Sequence, residues 1–66
     1  MQVQVNGEIR QIPDGMDLLS LMEELQITQK VMAAAVNMEI VKKDRWKEHR
    51  LHEGDRVELL HFVGGG

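Results

Sequence analysis

One stretch of this chain has the periodicity of an amphipathic helix, and it limits the possible folds more than any other feature. The apolar residues between Leu18 and Leu25 recur at positions i, i+3, i+4 and i+7, with Glu23 and Glu24 on the polar side. Asp17 is placed to cap the first turn through its side-chain oxygen, and we expect the helix to end near Gln26. Because so short a helix is unstable alone, its apolar stripe must pack against a sheet formed by the remaining residues.

A β-hairpin is predicted before the helix. Apolar and polar residues alternate over 1–5 and again over 8–12, and Asn6-Gly7 separates the two runs. Asn-Gly favours the type I′ turn, in which both central residues have positive φ. Ile9 occupies an odd position and Ile12 an even one, so strict alternation would place their side chains on opposite faces. We therefore expect a bulge or an early strand end near Pro13.

Two further strands are predicted after the helix. The first covers 31–36 and contains three consecutive alanines, 33–35, although alanine is a poor strand former. Small residues on one face of this strand would pack closely beneath the helix, which we favour, whereas small residues on the other face would let a partner approach. A tight turn at 37–39 then leads into a short strand at 40–41. Residues 42–51 are charged and irregular, with one helical turn near Trp46, whose side chain we expect to cover the small core.

The last strand is predicted from its apolar and β-branched residues, which follow the turn signal Gly54-Asp55. Within it Val57 and Leu59 share one face, and Leu60 and Phe62 share the other. We expect Val57 and Leu59 to face the helix. Leu60 and Phe62 then form an apolar patch on the opposite face, which is our candidate partner interface.

Composition excludes several classes of function. The chain has no cysteine, which excludes disulfides, thiolate metal sites and a cysteine nucleophile. A net charge of −3 argues against a nucleic-acid binder, and no apolar run approaches the roughly 20 residues of a membrane span. The three histidines have no recognised metal-ligand spacing, and the basic residues near 42–47 are diluted by acidic ones. We therefore expect a cytoplasmic protein with no metal, nucleic-acid or membrane ligand.

Three glycines, Gly64, Gly65 and Gly66, follow the last strand. Ordering glycine is costly in entropy, and glycine adds nothing to a core. The run is therefore either a frayed end or a thread without side chains that enters the active site of another protein. The second interpretation makes the Gly66 carboxylate the reactive group, and it divides the chain into a domain at 1–63 and a flexible tail at 64–66.

The order of elements and three short motifs resemble a known family. One helix and a few strands in so short a chain favour an α+β fold in which a mixed four- to five-stranded sheet curls round the helix. The motifs are Ala34-Ala35-Val36-Asn37 followed by Glu39-Ile40-Val41, then Leu51-x-Glu53-Gly54-Asp55-x-Val57, and the final residues from His61 to Gly66. Together with the length, they resemble the ThiS family of sulfur carriers of thiamin biosynthesis, which have the ubiquitin-like β-grasp fold.

The resemblance implies a topology and a chemistry. The last strand would lie in the middle of the sheet, parallel to the first. A partner related to ubiquitin-activating enzymes would use ATP and Mg²⁺ to adenylate the Gly66 carboxylate, and this chain would bind neither itself. A persulfide derived from a cysteine desulfurase would then yield a thiocarboxylate, from which thiazole synthase would take sulfur. The chain would thus be a carrier and co-substrate, not an enzyme.

Other functions fit the same residues. Related β-grasp carriers serve molybdopterin synthesis or cysteine and homocysteine synthesis, and they share the tail chemistry. A ubiquitin-like modifier would join its terminal glycine to lysines of other proteins. A plain interaction domain would use the glycines only as a linker, and a natural sequence that continued past Gly66 would favour this last alternative.

Overall fold

The computed structural model describes residues 1–62. The elements are β1 (Gln2–Val5), β2 (Glu8–Gln11), α1 (Leu18–Glu24), β3 (Val31–Val36), β4 (Glu39–Ile40) and β5 (Arg56–His61). Short 3₁₀ turns occupy Thr28–Lys30 and Lys43–Arg45. The strands form one sheet in the order β2-β1-β5-β3-β4.

The last strand lies at the centre of this sheet. β5 runs parallel to β1, with Val5 opposite Val57, and antiparallel to β3, with Val36 opposite Val57. All other pairs of neighbouring strands are antiparallel. The mixed sheet on a single α-helix is the architecture that the sequence predicted, and the central position of β5 is confirmed.

The first hairpin forms as predicted, and it places the two isoleucines Ile9 and Ile12 on opposite faces of the sheet. Asn6 has φ 49° and Gly7 has φ 85°, both in the left-handed region that the tight turn requires. Ile9 lies opposite Gln4 and is exposed, whereas Ile12 is buried. The strand ends at Gln11, but the N–H of Ile12 still donates to the carbonyl oxygen of Met1 at 2.8 Å, so the alternation continues and places Ile12, three positions after Ile9, on the core face.

The helix packs its apolar stripe on the sheet. Asp17 caps it, because its Oδ1 accepts a hydrogen bond of 2.7 Å from the backbone N–H of Ser20. The helix ends at Glu24, two residues earlier than predicted, and Gln26 then has φ 61°. The buried core combines this stripe with residues from three strands, β1, β3 and β5, and from the connecting segments: Val3, Val5, Ile12, Leu18, Leu21, Met22, Ala34, Val36, Val41, Trp46, Leu51, Val57 and Leu59.

Two details refine the sequence-based expectations. Only Ala34 of the three alanines packs in the core, because Ala33 and Ala35 lie on the opposite side of the alternating strand. Packing beneath the helix, the favoured alternative, therefore applies to Ala34, and Ala33 and Ala35 lie on the face that is open to a partner. The fourth strand begins at Glu39, one residue earlier than predicted, because the Asn37-Met38 turn is already complete there.

Trp46 belongs to the core, as predicted. Its side chain is buried, and its Nε1–H donates a hydrogen bond of 2.9 Å to the carbonyl oxygen of Val41. The indole therefore fixes the irregular segment 41–51 against the sheet. Within residues 1–62, no helix is long and apolar enough to cross a membrane.

Candidate functional site

The candidate site is the outer face of β5, on the side of the sheet opposite the helix. Val57 and Leu59 are buried beneath α1, whereas Leu60 and Phe62 are each 60% exposed. This alternation is the one predicted from the sequence. The structure therefore leaves the side chains of both predicted interface residues exposed, Leu60 within β5 and Phe62 directly after its last residue.

Neighbouring strands extend this apolar surface beyond the two predicted residues. Ala33 lies opposite Leu60 in the β3–β5 ladder, and Ala35 lies opposite Ile40 in the β3–β4 ladder. Ile40 is 75% exposed. We call Ala33, Ala35, Ile40, Leu60 and Phe62 the sheet patch.

The small alanines create a depression in the sheet patch. It has a volume of about 330 Å³ and is bounded by Ile40, Leu60 and Glu58. A bulky apolar side chain of a partner can enter it, because the side chains of Ala33 and Ala35 end at Cβ. The sequence left open which face of β3 the small residues serve, and the structure places Ala33 and Ala35 on the outer face. Val36 is buried, and Ala33 and Ala35 lie three positions and one position before it, so strand alternation places both alanines on the opposite face.

The start of β5 is held by a buried carboxylate. Asp55 is 9% exposed and accepts hydrogen bonds from the backbone N–H of His52, at 2.8 Å, and from Nδ2 of Asn37, at 3.0 Å. Gly54 has φ 84°, which gives the turn its shape. The predicted Gly54-Asp55 turn thus joins the final strand to the β3–β4 hairpin.

The end of β5 is held on both sides. On one side the N–H of Phe62 donates to the carbonyl oxygen of Lys30 at 3.0 Å. On the other side the Asn6 side chain forms two hydrogen bonds with the backbone of Leu59. Sequence reasoning treated Asn6 only as a turn residue, and no local pattern signals a bond to a residue 53 positions away.

The glycines of the predicted tail, Gly64, Gly65 and Gly66, lie outside the described residues, as does Val63. Their assignment as a flexible tail and reactive end therefore stays a prediction. Among residues 1–62, no group of three or more His, Cys, Asp or Glu side chains is arranged to hold a metal ion.

Comparison with known proteins identifies the family. The model of the ThiS family matches residues 3–66. The chain belongs to the ThiS family. The sulfur carrier protein ThiS of Escherichia coli is 32% identical to it over 66 residues, which cover the whole of both chains. ThiS of Bacillus subtilis is 34% identical over 65 residues, covering 97% of this chain and 98% of the relative.

Solved structures give the same result for the fold. A crystal structure of the thiamine biosynthesis protein ThiS from Geobacter metallireducens matches with a TM-score of 0.82 and 26% identity, over the full length of both chains. The β-grasp prediction for this ThiS-family chain is confirmed. The chain is also 33% identical over 66 residues to a thiazole synthase of Paramagnetospirillum magneticum, but it spans only 20% of that protein's length.

Proposed function

We propose that this ThiS-family chain is a sulfur carrier of thiamin biosynthesis whose Gly66 carboxylate becomes a thiocarboxylate. The observation that carries the proposal is the family match over residues 3–66, which includes the three glycines. The fold supports it, because β5 leads to these glycines from the centre of the sheet. The proposal requires a mature chain that ends at Gly66.

The chemistry needs activation by a partner. A carboxylate reacts poorly with a sulfur nucleophile, because oxide would have to leave. In the proposed reaction a Gly66 oxygen attacks the α-phosphorus of ATP and pyrophosphate leaves, with Mg²⁺ and ATP held by an adenylating enzyme. A persulfide sulfur, supplied through a cysteine desulfurase, then attacks the acyl carbon and AMP leaves. A thiol finally reduces the new S–S bond and releases the thiocarboxylate.

Glycine suits the segment that must reach this chemistry. An acyl-adenylate has to be protected from water, so the reacting carbon must sit in an enclosed pocket of the partner. Residues without a Cβ can pass through a narrow channel and adopt positive or negative φ as the channel requires. Ordering such a segment costs roughly 1–2 kcal/mol per residue, which other contacts must offset.

We assign those contacts to the sheet patch. Leu60, Phe62 and Ile40 expose apolar side chains beside β5, and the alanine depression gives the surface relief. Burying apolar surface contributes about 25 cal/mol per Å², so one well-covered leucine or phenylalanine is worth a few kcal/mol. The occupant is the adenylating enzyme, because the patch adjoins the strand that carries the glycines.

Thiazole synthase is the proposed sulfur acceptor. Thiazole synthases of Paramagnetospirillum magneticum and Magnetococcus marinus each contain a stretch matching this whole chain, equal to 20% of their length. Carrier and synthase segments within one polypeptide support a functional pairing of the two.

The carrier chemistry is tested by mass spectrometry. The chain is incubated with an adenylating enzyme, ATP, Mg²⁺ and a persulfide source, and the product is digested. We expect one oxygen to be replaced by sulfur at Gly66, and no change when ATP is omitted. An unchanged terminus under conditions that convert ThiS of Escherichia coli would refute the proposal, and covalent ladders on other proteins would favour a modifier.

The acceptor is tested with the thiocarboxylated chain. Purified thiazole synthase should consume its sulfur and regenerate the Gly66 carboxylate. Turnover by molybdopterin synthase, or by an enzyme of cysteine or homocysteine synthesis, in place of thiazole synthase would assign the carrier to another pathway.

The sheet patch is tested by a matched pair of variants. Phe62→Glu places a charge in the patch, and Ile9→Glu places the same charge at a residue that is 58% exposed on the same sheet face, two strands away. We expect Phe62→Glu to raise KM for adenylation at least about tenfold, since a buried unpaired charge costs more than 1.4 kcal/mol. Ile9→Glu should leave KM unchanged. Normal KM in a folded Phe62→Glu protein would exclude the patch.

A further inference from the structure

The Asn6 side chain bonds to both backbone groups of Leu59. Its Oδ1 accepts a hydrogen bond of 2.8 Å from the N–H of Leu59, and its Nδ2 donates one of 3.1 Å to the carbonyl oxygen of Leu59. Asn6 itself sits in the β1–β2 turn with φ 49°. The turn thus reaches across to β5, the strand that precedes the glycines.

These two bonds continue the parallel ladder after β1 has ended. The backbone N–H of Gln4 donates to the carbonyl oxygen of Asp55, and that of Asn6 donates to the carbonyl oxygen of Val57, both at 2.9 Å. The two acceptors, Asp55 and Val57, are two residues apart, so the next residue of β5 expected to bond on this side is Leu59. Since β1 turns away at Asn6, the side-chain amide replaces the peptide group that a longer β1 would have offered.

Without this amide, the end of β5 would be held on one side only. β1 has registered partners only at Arg56 and Val57 of β5, whereas β3 pairs with β5 as far as His61. The residues after Val57 include Leu60 and Phe62 of the sheet patch. The Asn6 bonds therefore fix the section of strand that presents the patch and leads to the glycines.

A second asparagine provides a natural comparison. Asn37 lies in the β3–β4 turn with φ 51°, and its Oδ1 accepts a hydrogen bond of 3.0 Å from the backbone N–H of Arg56. It thus uses the same chemistry on β5, from the other neighbouring hairpin. However, Arg56 is the first residue of β5, far along the strand from the glycines.

We propose that Asn6 is a positioning residue for sulfur transfer: its side-chain amide locks the end of β5, so that the C-terminal glycines leave the sheet from a fixed point. The functional part of this proposal rests on the sulfur-carrier function. Asn6 does not touch the reacting atoms, and it acts through the backbone of Leu59. If the two Asn6–Leu59 hydrogen bonds are lost, the end of β5 occupies a wider range of positions. A smaller fraction of these positions then directs the glycines into the partner's channel.

The test compares Asn6→Gly with Asn37→Gly. Glycine tolerates the positive φ at both positions, so each variant removes an amide without straining the backbone. Hydrogen exchange of the Leu59 amide, global stability in urea, and KM and kcat for adenylation are measured for both. We expect Asn6→Gly to speed exchange at Leu59 about tenfold beyond the change in global stability, and to raise KM several-fold with kcat nearly unchanged.

The control defines what would overturn the proposal. Asn37→Gly should lower global stability to a similar extent, speed exchange at Leu59 only as far as that loss of global stability accounts for, and leave KM close to wild type. Exchange at Leu59 in Asn6→Gly that is no faster than the loss of global stability accounts for would overturn the lock, and an equal rise in KM in the two variants would reduce Asn6 to a stability role. If the wild-type chain is not adenylated at all, the sulfur-carrier function fails, while the exchange measurement still decides whether Asn6 locks the strand.

Discussion

At the level of single residues, positive φ is relaxed at two asparagines and strained at two other residues, Gln26 and Met38. Asn6, Gln26, Asn37 and Met38 all have positive φ, at 49°, 61°, 51° and 70°. Asparagine adopts this region readily, because its short amide side chain forms local hydrogen bonds. Met38 lacks that compensation, and its side chain is 81% exposed, so it has little packing to offset the strain.

Met38→Gly should therefore stabilise the protein. Glycine removes a left-handed penalty of about 1–2 kcal/mol but adds unfolded-state entropy of roughly 0.4–1 kcal/mol, which leaves a net gain of about 0.5 kcal/mol. Urea unfolding measures the gain. Gly7→Ala is the converse control: a Cβ there meets open space, so only the φ of 85° opposes it, and this variant should lose stability. A less stable Met38→Gly protein would show that Met38 packs favourably.

Trp46 shows how much one buried donor contributes. Trp46→Phe keeps an aromatic ring but leaves the carbonyl oxygen of Val41 without the 2.9 Å hydrogen bond. We expect a loss of about 1–3 kcal/mol in the free energy of unfolding, followed by circular dichroism because the tryptophan signal is gone. Lys47→Ala, at the exposed neighbouring position, should change stability by less than about 0.5 kcal/mol. Equal stability of Trp46→Phe and wild type would contradict this account.

At the level of elements, the helix depends on its cap because it is only seven residues long. Asp17 accepts hydrogen bonds from the N–H of Ser20, at 2.7 Å, and from its hydroxyl, at 3.1 Å. A helix of two turns has few internal hydrogen bonds, so each terminal bond is a large fraction of its stability.

Asp17→Ala should lower the free energy of unfolding by about 1 kcal/mol, as loss of an N-cap usually does. Asp17→Asn keeps an oxygen at the cap and should retain most of the stability. Urea unfolding of the two variants compares them directly. If Asp17→Asn lost as much as Asp17→Ala, the charge rather than the capping hydrogen bond would be responsible.

At the level of the whole molecule, stability should be greatest at the centre of the sheet. β5 is paired with a strand on each side, whereas β2 and β4 are edge strands whose side chains are exposed. Local opening can free an edge strand. Freeing β5 requires breaking its hydrogen bonds to both β1 and β3 and exposing the core. The strand that leads to the glycines is therefore the most firmly held element.

Native-state hydrogen exchange tests this difference between strands. Hydrogen-bonded amides of β5 should exchange only through global unfolding, and those of β2 should exchange faster through local opening. In Asp17→Ala the β5 amides should speed up on the order of fivefold, in line with the loss of global stability, while the β2 amides change little. Equal protection of β2 and β5 would contradict the proposed distribution of stability.

The sequence alone predicted the elements and the two faces of the last strand. The Asn6-Gly7 turn, the Asp17 cap and the helical spacing from Leu18 to Leu25 are local signals, because each involves residues only a few positions apart. Period-two alternation likewise separated Val57 and Leu59 from Leu60 and Phe62. The β-grasp topology, by contrast, came from resemblance to a family rather than from local patterns.

Tertiary structure decided which residues meet across the sheet. Ala33 and Ala35 became part of the sheet patch only because β3 pairs with β5 in one register, which places Ala33 opposite Leu60. Asn6 meets Leu59 although 53 positions separate them. A local pattern reports the conformation of its own segment, whereas strand order and register are set by the packing of the whole core. Sequence therefore determined what each segment is, and the packed sheet determined which partners hold the end of β5.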